Sequence, residues 1–312
     1  MTRLIAVVST IAIFVAACGG IGGGSKADIK IGSDNFYESK LMAEMYAQVL
    51  ENAGYKVTRN LGLGSRLERQ PAFEQGQVDL VPEYVGSGLG YYNKSNPTEA
   101  TTPTGDGEAN KAALQAVLDT KGANGGKLAT VLAITPAQDQ NAGVVRPDTA
   151  TSLKLAKMSD LAAVQDQLKW GLPPDCDNNS LCKGALEQYG ITYPPKQREA
   201  LAACDAPIAE ALKGKAVDFA WLCSTQPAIL VNGFTMLEDD KKTQPADNIA
   251  PVVRQDYLSK VDATAFAALL DAVSAKMTTE ELLALGVKVA VDNQDPADVA
   301  KEWLTANGLL SK

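Results

Sequence analysis

The chain has 312 residues, with 29 Lys+Arg against 37 Asp+Glu and a net charge of −8 at pH 7. Its length leaves room for two domains at roughly 150 residues each, and its 46% hydrophobic and 21% charged content is that of a globular protein. Histidine is absent, which excludes Ser-His-Asp and Cys-His nucleophile systems, histidine-rich zinc sites and histidine pH switches, and the acidic balance leaves no basic excess for nucleic acid.

Residues 1–17 read as a signal peptide. Arg3 opens it, an apolar run follows from Leu4 to Val15, and the small Ala16 and Ala17 precede Cys18. The run is short for a transmembrane helix of about 20 residues. Val15 to Cys18 (VAAC) resembles a lipobox, in which the cysteine is acylated and becomes the mature N-terminus. Cys18 is therefore the expected lipidation site. Residues 18–27, with GGIGGGS at 19–25, form a flexible tether. The expected location is the extracytoplasmic face of the cell membrane, held by lipid. Losing Arg3 with the leader moves the balance to 28 − 37 = −9.

Ile29 to Gly32 reads as a strand. A helix follows from about Tyr37 to Asn52, with Leu41, Met42, Met45, Tyr46, Val49 and Leu50 at helical spacing on one face and Gly54 beyond its end. Tyr55 to Leu61 is strand, Ser65 to Gln75 a helix with Ser65 as N-cap, and Val78 to Val81 a third strand. Strand and helix in alternation predict a parallel α/β sheet. Ala109 to Thr120 is helix between polar, loop-prone stretches. Val131 to Ile134 and Gly143 to Val145 read as strands around a polar turn. Residues 158–169 and Ala200 to Lys213 read as helices, and Val217 to Leu222 as strand. Residues 238–248 form a charged connector. Strand Ala250 to Arg254 and helices 262–276, 278–285 and Pro296 to Asn307 complete the chain. The likeness of VDLV at 78–81 to VDFAWL at 217–222 points to two similar lobes.

Beyond Cys18, four cysteines remain, an even number in an exported chain. Three pairings are open; Cys176–Cys182 and Cys204–Cys223 are favoured, because the first closes a small ring around a Pro/Asp/Asn loop. Zinc does not suit this set, which has neither histidine nor paired CxxC spacing. No GxSxG elbow occurs. Gly122 to Lys127 (GANGGK) is one residue short of a phosphate loop and precedes Leu128 rather than Ser/Thr. The sequence therefore predicts no enzyme, no cofactor and no metal. Polar clusters instead sit after strands: Asn35 and Ser39, Glu83 to Ser87, Asp139 with Gln140 and Asn141, and Ser224 with Thr225. Ligands of open α/β sheets bind at such strand ends.

Several segments resemble one family. Asp34–Glu38 (DNFYE), Glu44–Gln48 (EMYAQ), Leu50–Glu51 and Gly54–Val57 are similar to the start of osmoprotectant substrate-binding proteins of ABC transporters, the glycine betaine/choline/carnitine type. Asp79–Gly86 (DLVPEYVG), Ser224–Pro227 and Ile249–Arg254 resemble later motifs of that family. The resemblance implies an α/β fold of two lobes, the hinge-closing type II periplasmic-binding-protein fold, with lobe I at 28–135 and 246–312 and lobe II at 136–245. It implies a monomer that delivers a small polar solute to an ABC permease and its ATPase. It also implies a tyrosine cage for a quaternary ammonium. Only Tyr84 stands at a cage position; Asn141 and the pair Asp247-Asn248 stand where rings are expected. Carboxamides with Asp139 or Asp247 suit hydroxyls or a cation, so a polyol or sugar-like ligand is an alternative, as is a lipid-anchored sensor. The expected ligand contacts are Tyr84, Asn35, Ser39, Ser87, Asp139, Gln140, Asn141, Thr225 and Asn248.

Overall fold

A computed structural model describes residues 26–95, 100–204 and 206–310. The predicted leader, Cys18 and nearly all of the tether lie outside the described residues.

Two five-stranded sheets organise the chain. In the first, β1 (Ile29–Gly32) runs parallel to β2 (Val57–Asn60) and to β3 (Leu80–Tyr84). β3 then pairs antiparallel with β10 (Ile249–Arg254), which pairs antiparallel with β4 (Ala129–Val131). The order is β2-β1-β3-β10-β4, and in the second sheet it is β7-β6-β8-β5-β9. There β6 (Trp170–Leu172) is parallel to β7 (Arg198–Ala200) and to β8 (Phe219–Cys223). β5 (Asn141–Val145) runs antiparallel to β8 and to the short β9 (Thr235–Met236). The two sheets share one pattern, and each receives one antiparallel strand beside its central parallel strand.

Burial explains the strands. All five residues of β3 are buried, the continuous apolar reading of a strand covered on both faces. On one face of the first sheet α1 (Tyr37–Asn52) packs with α10 (Ala263–Ser274) and α12 (Pro296–Ala306). Leu41, Met42, Met45, Tyr46, Val49 and Leu50 of α1 are at most 3% exposed, as their 3.6-residue spacing demands. On the other face α3 (Val85–Ser95) and α4 (Gly107–Leu118) cover Val78, Val81 and Val252. The second sheet holds its own core around Trp170, Phe219, Trp221 and Leu222.

Two segments connect the sheets: 132–140 leads out of β4, and 237–248 leads back into β10. They are tied together where they cross, by an antiparallel bridge between Gln138 and Asn248 and by the Asp139 N–H donating to the Asp247 carbonyl at 3.1 Å.

Several elements differ from the sequence reading. Residues 158–169 are not one α-helix but two short 3-10 turns, Met158–Ala163 and Gln165–Gln167. The Trp170 indole donates back to the Gln165 carbonyl and ends the coil as β6 begins. The helix expected from Ala200 starts at Ala206. Its first residue, Ala200, is taken by the pairing of β7 with β6, and Cys204 turns the chain at φ 63°. The strand expected at Val131 to Ile134 lies earlier, at Ala129–Val131, where β10 offers its edge. The polar cluster expected after the third strand, Glu83 to Ser87, spans the end of β3 and the first turn of α3, which begins at Val85. The cysteines pair as Cys176–Cys182 and Cys204–Cys223.

Candidate ligand-binding cleft

The cleft lies where β3 and α3 of the first lobe face the two crossing segments. Its geometry starts with Asp247. From the returning crossing, its Oδ1 accepts the Gly86 N–H at 2.8 Å and the Ser87 N–H at 3.0 Å. A carboxylate thus caps α3 from 160 residues away, against the positive end of the helix. Gly86 is required here: a Cβ would stand 2.7 Å from the Ala246 carbonyl oxygen.

A cavity of about 280 Å³ opens beside this contact, lined by Asp34, Phe36, Ser65, Arg66, Tyr84, Ser87, Asp139 and Asp247. Phe36 and Tyr84 stand with ring centroids 5.8 Å apart. The Tyr84 hydroxyl points inward and donates to Glu38 at 2.5 Å. Asp139, from the outgoing crossing, accepts the Thr225 hydroxyl at 2.9 Å, and the Tyr37 hydroxyl donates to the Thr225 carbonyl at 3.0 Å. A second cavity of about 540 Å³ shares Ser87, Asp139 and Asp247 and continues along Gln140, Asn141, Ser180, Leu181 and Gln244. A further cavity, about 380 Å³, lies beyond the outgoing crossing toward Trp221 and Met236.

Charge is unevenly distributed around the first cavity. Arg66 binds Glu83 at 2.7 Å and donates to the Ser87 hydroxyl. Arg69, 1% exposed, binds Asp34 at 3.0 Å and Glu83 at 2.8 Å. Burial alone would raise Glu83, but the two guanidiniums more than offset it and hold the carboxyl down at about 2. Glu38, Asp139 and Asp247 have no such partner. Burial raises Glu38, reinforced by the nearby Asp139. Burial likewise raises Asp139, and pushes Asp247 up to about 7 despite the N–H donors and Arg66. Asp139 and Asp247 therefore line the cavity with Phe36 and Tyr84, with Glu38 buried behind Tyr84; among the described residues none of the three has a direct ion pair, and Arg66, the cation on this lining, is held by Glu83.

The expected contacts divide into two sets. Tyr84, Ser87, Asp139, Gln140 and Asn141 line the two cavities. Asn35, Ser39, Thr225 and Asn248 line neither. Ser39 accepts the Asp34 N–H and shapes the turn before α1. Asn248 donates to the Thr135 and Ala137 carbonyls and braces one crossing on the other. Thr225 orients Asp139, and Asn35 is exposed above the Gly64 turn. Phe36, Glu38 and Arg66 were absent from the expected set. Phe36 carried a signal, a large ring directly after a strand-end polar pair; 41% of it is exposed at the cleft.

Residues 27–306 match the model of a family described as the substrate binding domain of ABC-type glycine betaine transport systems. A glycine-betaine-binding protein of Pseudomonas aeruginosa is 28% identical over 310 residues, covering 94% of this chain and 93% of its own. The carnitine transport binding protein of Listeria monocytogenes is 26% identical, covering 96% and 93%. A solved glycine betaine/carnitine/choline ABC transporter structure superposes with a TM-score of 0.80 at 22% identity, over 91% of this chain and all of that one. The two sheets and their paired crossings are those of the type II periplasmic-binding-protein fold.

Proposed function

The chain belongs to the substrate-binding domain family of ABC-type glycine betaine transport systems, and from that premise we propose that it captures a solute with a quaternary ammonium or similar diffuse cation. The observation that carries this reading is the pairing of Phe36 and Tyr84 with Asp139 and Asp247 around one cavity. A diffuse cation is drawn to ring faces, more strongly when desolvated, and it supplies the counter-charge that Asp139 and Asp247, half-buried and without a direct ion pair among the described residues, do not otherwise have. A polyol or sugar-like ligand would leave those carboxyls uncompensated, so the acids favour the cation.

Closure follows from the same geometry. Asp139 and Asp247 stand on the two crossings, so a ligand held between them and the rings of the first lobe stabilises the closed state over the open one. The closed protein presents the solute to an ABC permease driven by its ATPase. It works as a monomer, held at the extracytoplasmic face of the membrane through lipid on Cys18. Among the described residues no helix is long and apolar enough to cross a membrane.

Calorimetric titration with choline, glycine betaine, carnitine, sorbitol and trehalose tests the reading. Binding by at least one quaternary ammonium compound and by neither polyol nor sugar is expected. Binding of the sugar or polyol alone would overturn it.

A further inference from the structure

The two cavities meet across Ser87, Asp139 and Asp247, so they are compartments of one cleft. We propose that this cleft takes an elongated ligand: a cationic head in the 280 Å³ compartment and an uncharged, hydrogen-bonding tail in the 540 Å³ one. The inference rests on the cationic reading above and extends it to the other end of the ligand.

The chemistry of the larger compartment is different from that of the smaller. Among the described residues, the only ionisable side chains lining it are the shared Asp139 and Asp247. A carboxylate tail would meet their repulsion with no cation to receive it, because Arg66 lies in the other compartment and is held by Glu83. Carboxamides line it instead. Asn141 donates to Gln244 at 3.1 Å, and the Gln244 amide donates to the Leu181 carbonyl at 2.9 Å. Each amide keeps donor or acceptor capacity beyond those bonds. Apolar surface is present too. Leu181, 39% exposed on the ring closed by Cys176 and Cys182, stands with Pro103 and Pro245 against the path of a methylene chain.

Size points the same way. Ligand pockets typically run from about 300 to 1,000 Å³. The head compartment, at about 280 Å³, is near the lower end and is the smaller of the two. A compact trimethylammonium solute would fill it and leave Leu181 and the amides facing water. The larger space opens at Asn141, where the family resemblance leads one to expect a ring.

The test is a calorimetric series on the full-length protein. The probes are choline, a trimethylammonium compound with a neutral amide-terminated alkyl tail, and its carboxylate-terminated counterpart. The amide-tailed probe is expected to bind about tenfold more tightly than either of the others. In Asn141→Tyr, which fills the tail compartment, that preference should vanish while the urea unfolding transition stays cooperative, which shows that the variant is folded. If choline binds as tightly as the amide-tailed probe, or the carboxylate-tailed probe matches it, the inference fails and the cationic reading stands. If no trimethylammonium probe binds, the cationic reading falls with it.

Discussion

Two groups of carboxyls lie side by side at the cleft, and the protein treats them oppositely. Asp34 and Glu83 are locked to Arg69, with Arg66 adding a second hold on Glu83. Glu38 is comparably enclosed and Asp139 and Asp247 are half-buried at the cleft, and among the described residues the hydrogen bonds these three receive come from hydroxyls and N–H groups. The result is a carboxyl held down at about 2 in the first group and one pushed up to about 7 in the second. A buried charge must be paired, hydrogen-bonded or neutralised by a proton. The first group solves that problem internally and serves the fold. The second leaves it open, at the place where the proposed cationic ligand would sit.

The sharpest way to break this contrast is at Arg69. Arg69→Met leaves Asp34 buried without its guanidinium and Glu83 with Arg66 alone. It should cost about 3–5 kcal/mol of stability by urea unfolding; a cost below about 1 kcal/mol would mean that the first group is not structural. Asp139→Asn should do the reverse. Affinity for choline is expected to fall about 10- to 100-fold, roughly 1.4–2.7 kcal/mol, while the unfolding midpoint stays level or rises, because an unpaired carboxyl has been removed.

Protonation provides the third test. Asp247 holds its proton more tightly in the folded protein than in the unfolded chain, from the ordinary 3.8 up to about 7. Between those values the folded state binds more protons, so the stability of the ligand-free protein falls as pH rises through that window. Glu38 and Asp139 shift in the same direction. The loss between pH 5 and pH 8 should be on the order of 1–2 kcal/mol, once solvent in the open cleft is allowed for. Asp247→Asn, which keeps an oxygen to cap α3, should flatten the profile in urea unfolding at the two pH values. The smallest expected effect belongs to Phe36→Ala. Losing a half-open ring should weaken choline binding by about 0.5–1 kcal/mol, read by calorimetry.

What the sequence made legible follows from local physics. The periodicity of Leu41 to Leu50 marked α1, and the run at 78–81 overlapped the buried central strand, which starts two residues later at Leu80 and continues to Tyr84. The cleft was half legible, because Tyr84, Asp139 and Asn141 sit in strand-end clusters. The remainder depends on contacts that no local pattern carries. The start of α3 needs Asp247, and the bracing of the crossings needs Asn248 to reach Thr135. Glu38 reads as one more helical glutamate until Tyr84 is seen to close over it. Spacing indicates which residues are buried; it cannot indicate which buried acid lacks a cation.

The most direct test compares choline with its neutral carbon analogue, in which a quaternary carbon replaces the nitrogen at nearly unchanged shape. If the unpaired carboxyls exist to receive a cation, choline binds at least about tenfold more tightly, and its advantage grows as pH rises through about 7 and Asp247 ionises. Equal affinity for the two, independent of pH, would contradict the account.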